Sequence, residues 1–219
     1  MDTLSKIVTK FNLHLRNNKP PIHITMSRYD GLPEICKEMD FKVAVEVGVL
    51  EGEYSEVLCV ANPQMHVFSV DPWLEYPVHN HFRRQHHHNR AYKAAVERLS
   101  KYPNNTIVKK ASVDASKDFQ DESIDFVFID GDHSFLGITQ DLAAWIPKVK
   151  VGGIVAGHDF SDSPRGWFGS VETVVRAWMY AYQVDPWFVI DDTSTKLGVG
   201  ENSWMFVKQY PWLSQAKKT

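Results

Sequence analysis

The chain has 219 residues, 43% hydrophobic and 23% charged, and its 24 Lys and Arg against 27 Asp and Glu leave a formal charge of −3. That length supports a core without disulfide or metal staples, and the acidic balance excludes a protein that wraps a nucleic-acid backbone nonspecifically. Cys36 and Cys59 fall in apolar helical patterns, and no stretch reaches the roughly 18 apolar residues of a membrane span, so the expectation is a single soluble cytoplasmic domain over 1–219, with homo-oligomers admitted.

From Val43 onward, short β-branched runs alternate with stretches of helical period, as in a parallel α/β sheet. The first strand is Val43–Val47. Gly48 and Gly52 follow it, and then Tyr54, Val57, Leu58 and Ala61 form one buried helix face. A second strand, His66–Val70, ends at Asp71-Pro72, and Tyr92, Ala95, Val96 and Leu99 mark the next helix. The third strand is Thr106–Lys109 and the fourth Ile124–Ile129, which runs into Asp130-Gly-Asp-His133. Phe135, Ile138, Leu142 and Trp145 then define a helix that stops at Pro147. The fifth strand, Gly153–Gly157, ends in His158-Asp159; Val171, Val174, Val175, Trp178 and Tyr182 give a helix, and Trp187–Ile190 and Trp204–Val207 two last strands. The sum is a Rossmann-like α/β fold of seven strands, with residues 1–40, including Leu32, Ile35, Cys36 and Met39, as a helical cap beside the first strand.

In an open parallel sheet, ligands bind outside the carboxyl ends of the strands. Here those ends carry Glu46, Asp71, Asp114, Asp130, Asp132 and Asp159. The turn Gly48-Val-Leu-Glu-Gly52 lets a ligand approach backbone and free N–H groups, but it lacks the third glycine of the dinucleotide fingerprint, and Glu51 and Glu53 oppose a pyrophosphate. An acid at Asp71 suits a ribose diol. Together these features favour a nucleoside ligand without phosphate, and S-adenosylmethionine, with its sulfonium and ammonium charges, fits. Each feature also has a purely structural explanation, as a tight turn or a turn carboxylate.

The motifs Val45-Glu-Val-Gly48 with Gly52, Ser69-Val-Asp71, Phe128-Ile-Asp-Gly-Asp-His-Ser134 with Asp141-Leu142, and Gly152-Gly-Ile-Val-Ala-Gly-His-Asp159 make the chain resemble class I S-adenosylmethionine-dependent methyltransferases. The likeness is to their small-molecule branch, spans residues 41 to about 160, and is of the methyltransferase domain 24 type. It implies a mostly parallel sheet of order 3-2-1-4-5-7-6 with helices on both faces and the last strand antiparallel. It also implies that Glu46 and Gly48 line the methionine moiety, with Gly52 and Asp130 part of the cofactor set, that Asp71 holds the ribose, and that Ser112 and Val113 flank the adenine.

Some relatives in that family methylate sugar hydroxyls with a divalent cation held by the first Asp of the fourth-strand motif and two acids after the fifth strand, the second Asp serving as base. The matching positions are Asp130, His158 and Asp159, with Asp132 as base, and His158 departs from the acidic pattern. Two carboxylates and an imidazole suit Mn or Fe, and Mg less well. Asp132 and His133 are therefore the candidate catalytic bases for methyl transfer to a hydroxyl of a small sugar-like or polyhydroxy acceptor. The competing function is a noncatalytic S-adenosylmethionine or nucleoside binder. Segment 76–90, with histidines at 79, 81, 86, 87 and 88, and segment 161–168, with Arg165, Trp167 and Phe168, are candidate substrate loops.

Overall fold

The structure, a computed structural model, describes residues 1–15, 19–75, 84–161, 170–192 and 202–210. Its elements in chain order are α1 (Thr3–Lys10), β1 (Ile22–Met26), α2 (Arg28–Glu38), β2 (Val43–Val47), α3 (Glu53–Ala61), β3 (His66–Val70), α4 (Gln85–Leu99) and β4 (Asn105–Val108). There follow α5 (Ser112–Ser116), β5 (Ile124–Ile129), α6 (Phe135–Trp145), β6 (Val149–Gly157), α7 (Val171–Ala181), β7 (Trp187–Asp192) and β8 (Ser203–Val207).

The eight strands form one sheet of order β1-β7-β8-β6-β5-β2-β3-β4. Seven of them reproduce the expected order, and β8 is antiparallel to both β6 and β7. The correction lies at the N-terminus. Residues 1–40 are not a purely helical cap: Ile22–Met26 is an eighth strand, paired in parallel with β7 at the edge of the sheet, with four strands between it and β2. Its apolar residues alternate inward, with Ile22, Ile24 and Met26 buried and His23 and Thr25 exposed. Tertiary pairing, more than length, makes so short a run a strand.

Side chains of the central strands divide between two faces with period two. Val127 and Ile129 of β5 join Ile138, Leu142 and Trp145 of α6 on one face. Phe126 and Phe128 join Ala44, Leu32, Ile35 and Leu58 on the other, so β5 is buried along its whole length and apolar apart from Asp125, because both faces are covered. Glu46 shares its face with Ala44 and so points toward α3. No helix among the described residues is long and apolar enough to cross a membrane.

Candidate active site

The carboxyl ends of β2, β3, β5 and β6 lie side by side, and the sequence-predicted residues gather there. Gly48 has φ +88°, and a Cβ built on it would come within 2.0 Å of the Asp130 carbonyl oxygen. The close approach that demands glycine is thus the protein's own β5–α6 turn. Gly52, at φ +81°, caps α3, where a Cβ would meet Leu99 of α4 at 3.0 Å.

Asp71 has its oxygens engaged with main chain. Oδ2 accepts from the Val49 and Leu50 N–H groups at 3.0 and 3.1 Å, and Oδ1 from Trp73 N–H at 2.6 Å. Burial raises its pKa, and these three N–H donors oppose the rise. Trp73, at φ +47° and almost fully buried, donates its indole N–H to the Leu50 carbonyl at 2.8 Å, so the β2–α3 and β3–α4 connections are tied together around this carboxylate. Leu50 also has positive φ, +51°. Such strain persists only where the surroundings hold it, and it concentrates at functional sites.

Glu46 is buried and accepts from the Ser55 hydroxyl; Ser55 lies 2.6 Å from the Ser69 hydroxyl, which accepts from Asn105 at 2.8 Å. Burial, aided by the charges of Asp130 and Asp71 against the Ser55 bond, pushes the Glu46 carboxyl up to about 8. It is therefore largely a neutral acid at pH 7. Sequence reasoning missed Ser55 and Asn105, which carry no pattern of their own, and singled out Ser69 only within the Ser69-Val-Asp71 motif.

The strongest convergence is at the ends of β5 and β6. His133 Nε2 lies 3.2 Å from both Asp130 Oδ1 and Asp159 Oδ2. His158 Nδ1 lies 3.0 Å from Asp159 Oδ1 and 3.7 Å from Asp130 Oδ2. Asp159 adopts φ +50°, which a non-glycine residue seldom does. Burial lowers the pKa of both imidazoles, but the carboxylates outweigh it. His133 rises to about 9 through its Asp130 bond and the charges of Asp130, Asp159 and Asp132, while His158 rises through Asp159 and Asp130 against a nearby Arg28.

Asp130, His133 and Asp159 each offer a ligand atom within 4.8 Å of the others, and the His158 Nε2 atom is buried without a hydrogen-bond partner among the described residues. The donor set of two carboxylates with flanking imidazoles fits a borderline divalent cation such as Mn or Fe. His133, expected as a base, stands inside this cluster. Asp132 stands outside it: its Oδ1 accepts from Ser134 N–H at 2.9 Å, and its carboxyl group covers Gly137, where a Cβ would meet it at 2.5 Å. Ser112 begins α5, and its neighbour Val113 is 37% exposed. Ser112 bonds to Asp141 and Trp145, two partners that spacing alone does not announce. Of the candidate substrate loops, residues 76–83 and 162–168 lie outside the described residues; His86, His87 and His88 form the first turn of α4.

A sheet of this order with an antiparallel final strand, and a glycine turn flanked by acids at its carboxyl edge, define a class I S-adenosylmethionine-dependent methyltransferase. The chain matches the sequence model of the family Methyltransf_24, a methyltransferase domain, over residues 45–160, more than half its length. It belongs to that family. No curated protein sequence matches it. Among solved structures it is similar to a candidate caffeoyl-CoA O-methyltransferase from Staphylococcus aureus, with a TM-score of 0.60 and 14% identity over 93% of this chain and 91% of that one. It is also similar to an O-methyltransferase from Bacillus cereus in complex with SAH, with a TM-score of 0.56 and 15% identity over 94% and 90% of the two chains. A cofactor-bound protein from MTB matches with a TM-score of 0.57 and 14% identity over 95% and 90%. At these identities the likeness is one of fold.

Proposed function

We propose that the protein transfers the methyl group of S-adenosylmethionine to a hydroxyl of a small sugar-like or polyhydroxy acceptor. The observation that carries this reading is the convergence of Asp130, His133, His158 and Asp159 beside the glycine turn. Transfer is an in-line displacement: the acceptor oxygen comes to about 3 to 3.5 Å from the sulfonium methyl, the C–S bond breaks as the O–C bond forms, and the hydroxyl proton must leave. In this reading His133 Nε2 receives that proton, because it sits on the more exposed side of the carboxylates, with 28% of its side chain exposed against 9% for His158. Asp130 and Asp159 orient the ring and stabilise the imidazolium that forms.

Asp130, Asp159 and His158 are the residues that would hold a divalent cation, which when bound supplies positive charge that lowers the pKa of a nearby hydroxyl. The cofactor rests over the Gly48–Gly52 turn, with Asp71 at the ribose and the Ser112 and Val113 segment at the base. The test is to incubate the protein with isotopically labelled S-adenosylmethionine and a panel of polyols, sugars and catechols, and to follow label by mass spectrometry. Label on a sugar or polyol oxygen supports the proposal. Cofactor binding with no transfer to any acceptor would favour the noncatalytic binder, and transfer to a catechol alone would overturn the acceptor class.

A further inference from the structure

We infer that Phe160, seated between Trp187 and the guanidinium of Arg176, is a positioning residue that holds Asp159 against His133, so that an arginine on α7 tunes how tightly the site holds a divalent cation. This rests on the reading of Asp130, His158 and Asp159 as the residues that hold it. Asp159 stands at φ +50°, and a non-glycine residue stays there only where its surroundings fix it. The peptide plane that follows it is bonded on both sides: the Phe160 N–H donates to the Asn202 carbonyl at 2.8 Å, and the Asp159 carbonyl accepts from Ser161 N–H at 2.6 Å. Just upstream, His158 N–H donates to the Ile129 carbonyl of β5 at 3.1 Å. Because the peptide is planar, relaxation of Asp159 through ψ turns the Phe160 peptide and moves its ring.

That ring is not free to move. Phe160 is buried and shares a core with Val171, Val175 and Trp187. It meets Trp187 edge to face, with centroids 5.7 Å apart and planes at 66°. Arg176 of α7 lays its guanidinium over both rings, 5.3 Å from the Phe160 centroid and 5.7 Å from that of Trp187, within cation–π range. Glu172, one turn earlier, accepts from Arg176 Nε at 2.7 Å and keeps the guanidinium in place. The Arg176 side chain is 45% exposed, so its loss opens no cavity in the core, and it acts on Asp159 through Phe160. Asp159 in turn is what joins the end of β6 to the β5–α6 turn, with Oδ2 at 3.2 Å from His133 Nε2. A shift of the Phe160 ring is therefore felt as a change in spacing between Asp159 and its partners in the cluster.

The experiment titrates Mn, followed by electron paramagnetic resonance, and S-adenosylhomocysteine, followed by calorimetry, into wild type and variants whose folding is verified by melting curves. Phe160→Ala is expected to weaken Mn binding about tenfold or more, as loss of the support behind a ligand does. Phe160→Leu and Arg176→Gln each remove the cation–π contact and are expected to weaken it about two- to fivefold; combining them adds nothing further, because both act through one contact. Arg176→Lys, which keeps the cation, is expected to bind Mn within about twofold of wild type. S-adenosylhomocysteine affinity is expected to stay within about twofold of wild type throughout, because the Gly48–Gly52 turn is left as it was. A folded Phe160→Ala with wild-type Mn affinity overturns the inference, as does an Arg176→Gln protein that binds Mn as wild type does, or a parallel fall in both affinities. Should Phe160→Ala fail to fold, Phe160→Leu fills most of the space without an aromatic face, and unchanged Mn affinity there overturns the inference equally. A wild type that takes up no Mn, or an Asp159→Asn protein that binds it fully, refutes the cation reading itself, and this inference with it.

Discussion

His133 and Asp159, which follow different strands, meet at 3.2 Å between Nε2 and Oδ2, and the same nitrogen lies 3.2 Å from Asp130 Oδ1. One imidazole therefore sits between two carboxylates, and whatever carries positive charge there, a proton or a cation, is stabilised by both. Proton and cation compete for that place, which makes the chemistry dependent on pH and metal in a linked way.

His133 is raised to about 9, so without a cation it is an imidazolium at neutral pH and becomes a proton acceptor only as the pH rises. In chelator-treated enzyme, turnover is expected to climb about tenfold per pH unit up to about pH 9. Mn-loaded enzyme is expected to level off at lower pH, because the added charge at Asp130 and Asp159 removes what holds the proton on His133. Superimposable pH–rate profiles with and without Mn would refute this coupling.

His133→Ala is expected to lower turnover on the order of 100-fold or more with cofactor affinity nearly unchanged, since the base acts in the transition state. Asp132→Asn removes only charge from a turn in which the carboxyl accepts from Ser134, and its loss of turnover is expected to be smaller. Steady-state kinetics on one acceptor decides, and the reverse ranking would restore Asp132 as the base.

Glu46→Gln tests the buried neutral acid. A folded-state pKa of about 8 means that the native state holds a proton the unfolded chain releases near its ordinary value of 4.5. The stability this contributes is fully present below about 4.5 and gone once the pH has risen through about 8, because the native state binds more protons across that window. At ~1.4 kcal/mol per pKa unit, urea denaturation should show wild type losing at least ~2 kcal/mol between pH 5 and 8 relative to Glu46→Gln. Parallel pH curves for the two proteins would count against a neutral Glu46.

Gly48→Ala is expected to be a folding variant. Its Cβ would overlap the Asp130 carbonyl, and φ +88° is strained for any L side chain, so the cost is about 2 to 4 kcal/mol before any ligand is added. Thermal melting without ligand checks it; an unchanged melting temperature with lost cofactor binding would show that the ligand, and not the β5–α6 turn, demands the glycine.

Asp71→Ala removes the acceptor of three main-chain N–H groups and is expected to cost about 2 to 3 kcal/mol and to weaken S-adenosylhomocysteine binding about tenfold or more. Melting curves with and without S-adenosylhomocysteine separate the two losses. Full cofactor affinity in a destabilised protein would confine Asp71 to organising the loops.

Much of this was legible in the sequence because it depends on local patterns. Alternation of β-branched runs with helical spacing marked seven strands, the resemblance to a known family implied their spatial order, and carboxylates just past those strands fell at one edge because a parallel sheet puts all its carboxyl ends there. The five-residue strand Ile22–Met26 escaped notice because its stability comes from pairing with β7, more than 160 residues later in the chain, and no local period reports a partner so distant. Their positions just past two strands, together with the family resemblance, grouped Asp130, Asp132, His133, His158 and Asp159. Only the tertiary structure turned Asp132 back onto Gly137 and aimed His133 at the two carboxylates, since those directions depend on the φ of Asp159 and the cap at Ser134. The partners of Glu46 and Asp141 were likewise decided by packing: a serine or asparagine has the same local character on any helix or strand, and becomes part of a site only when the fold buries a carboxyl against it.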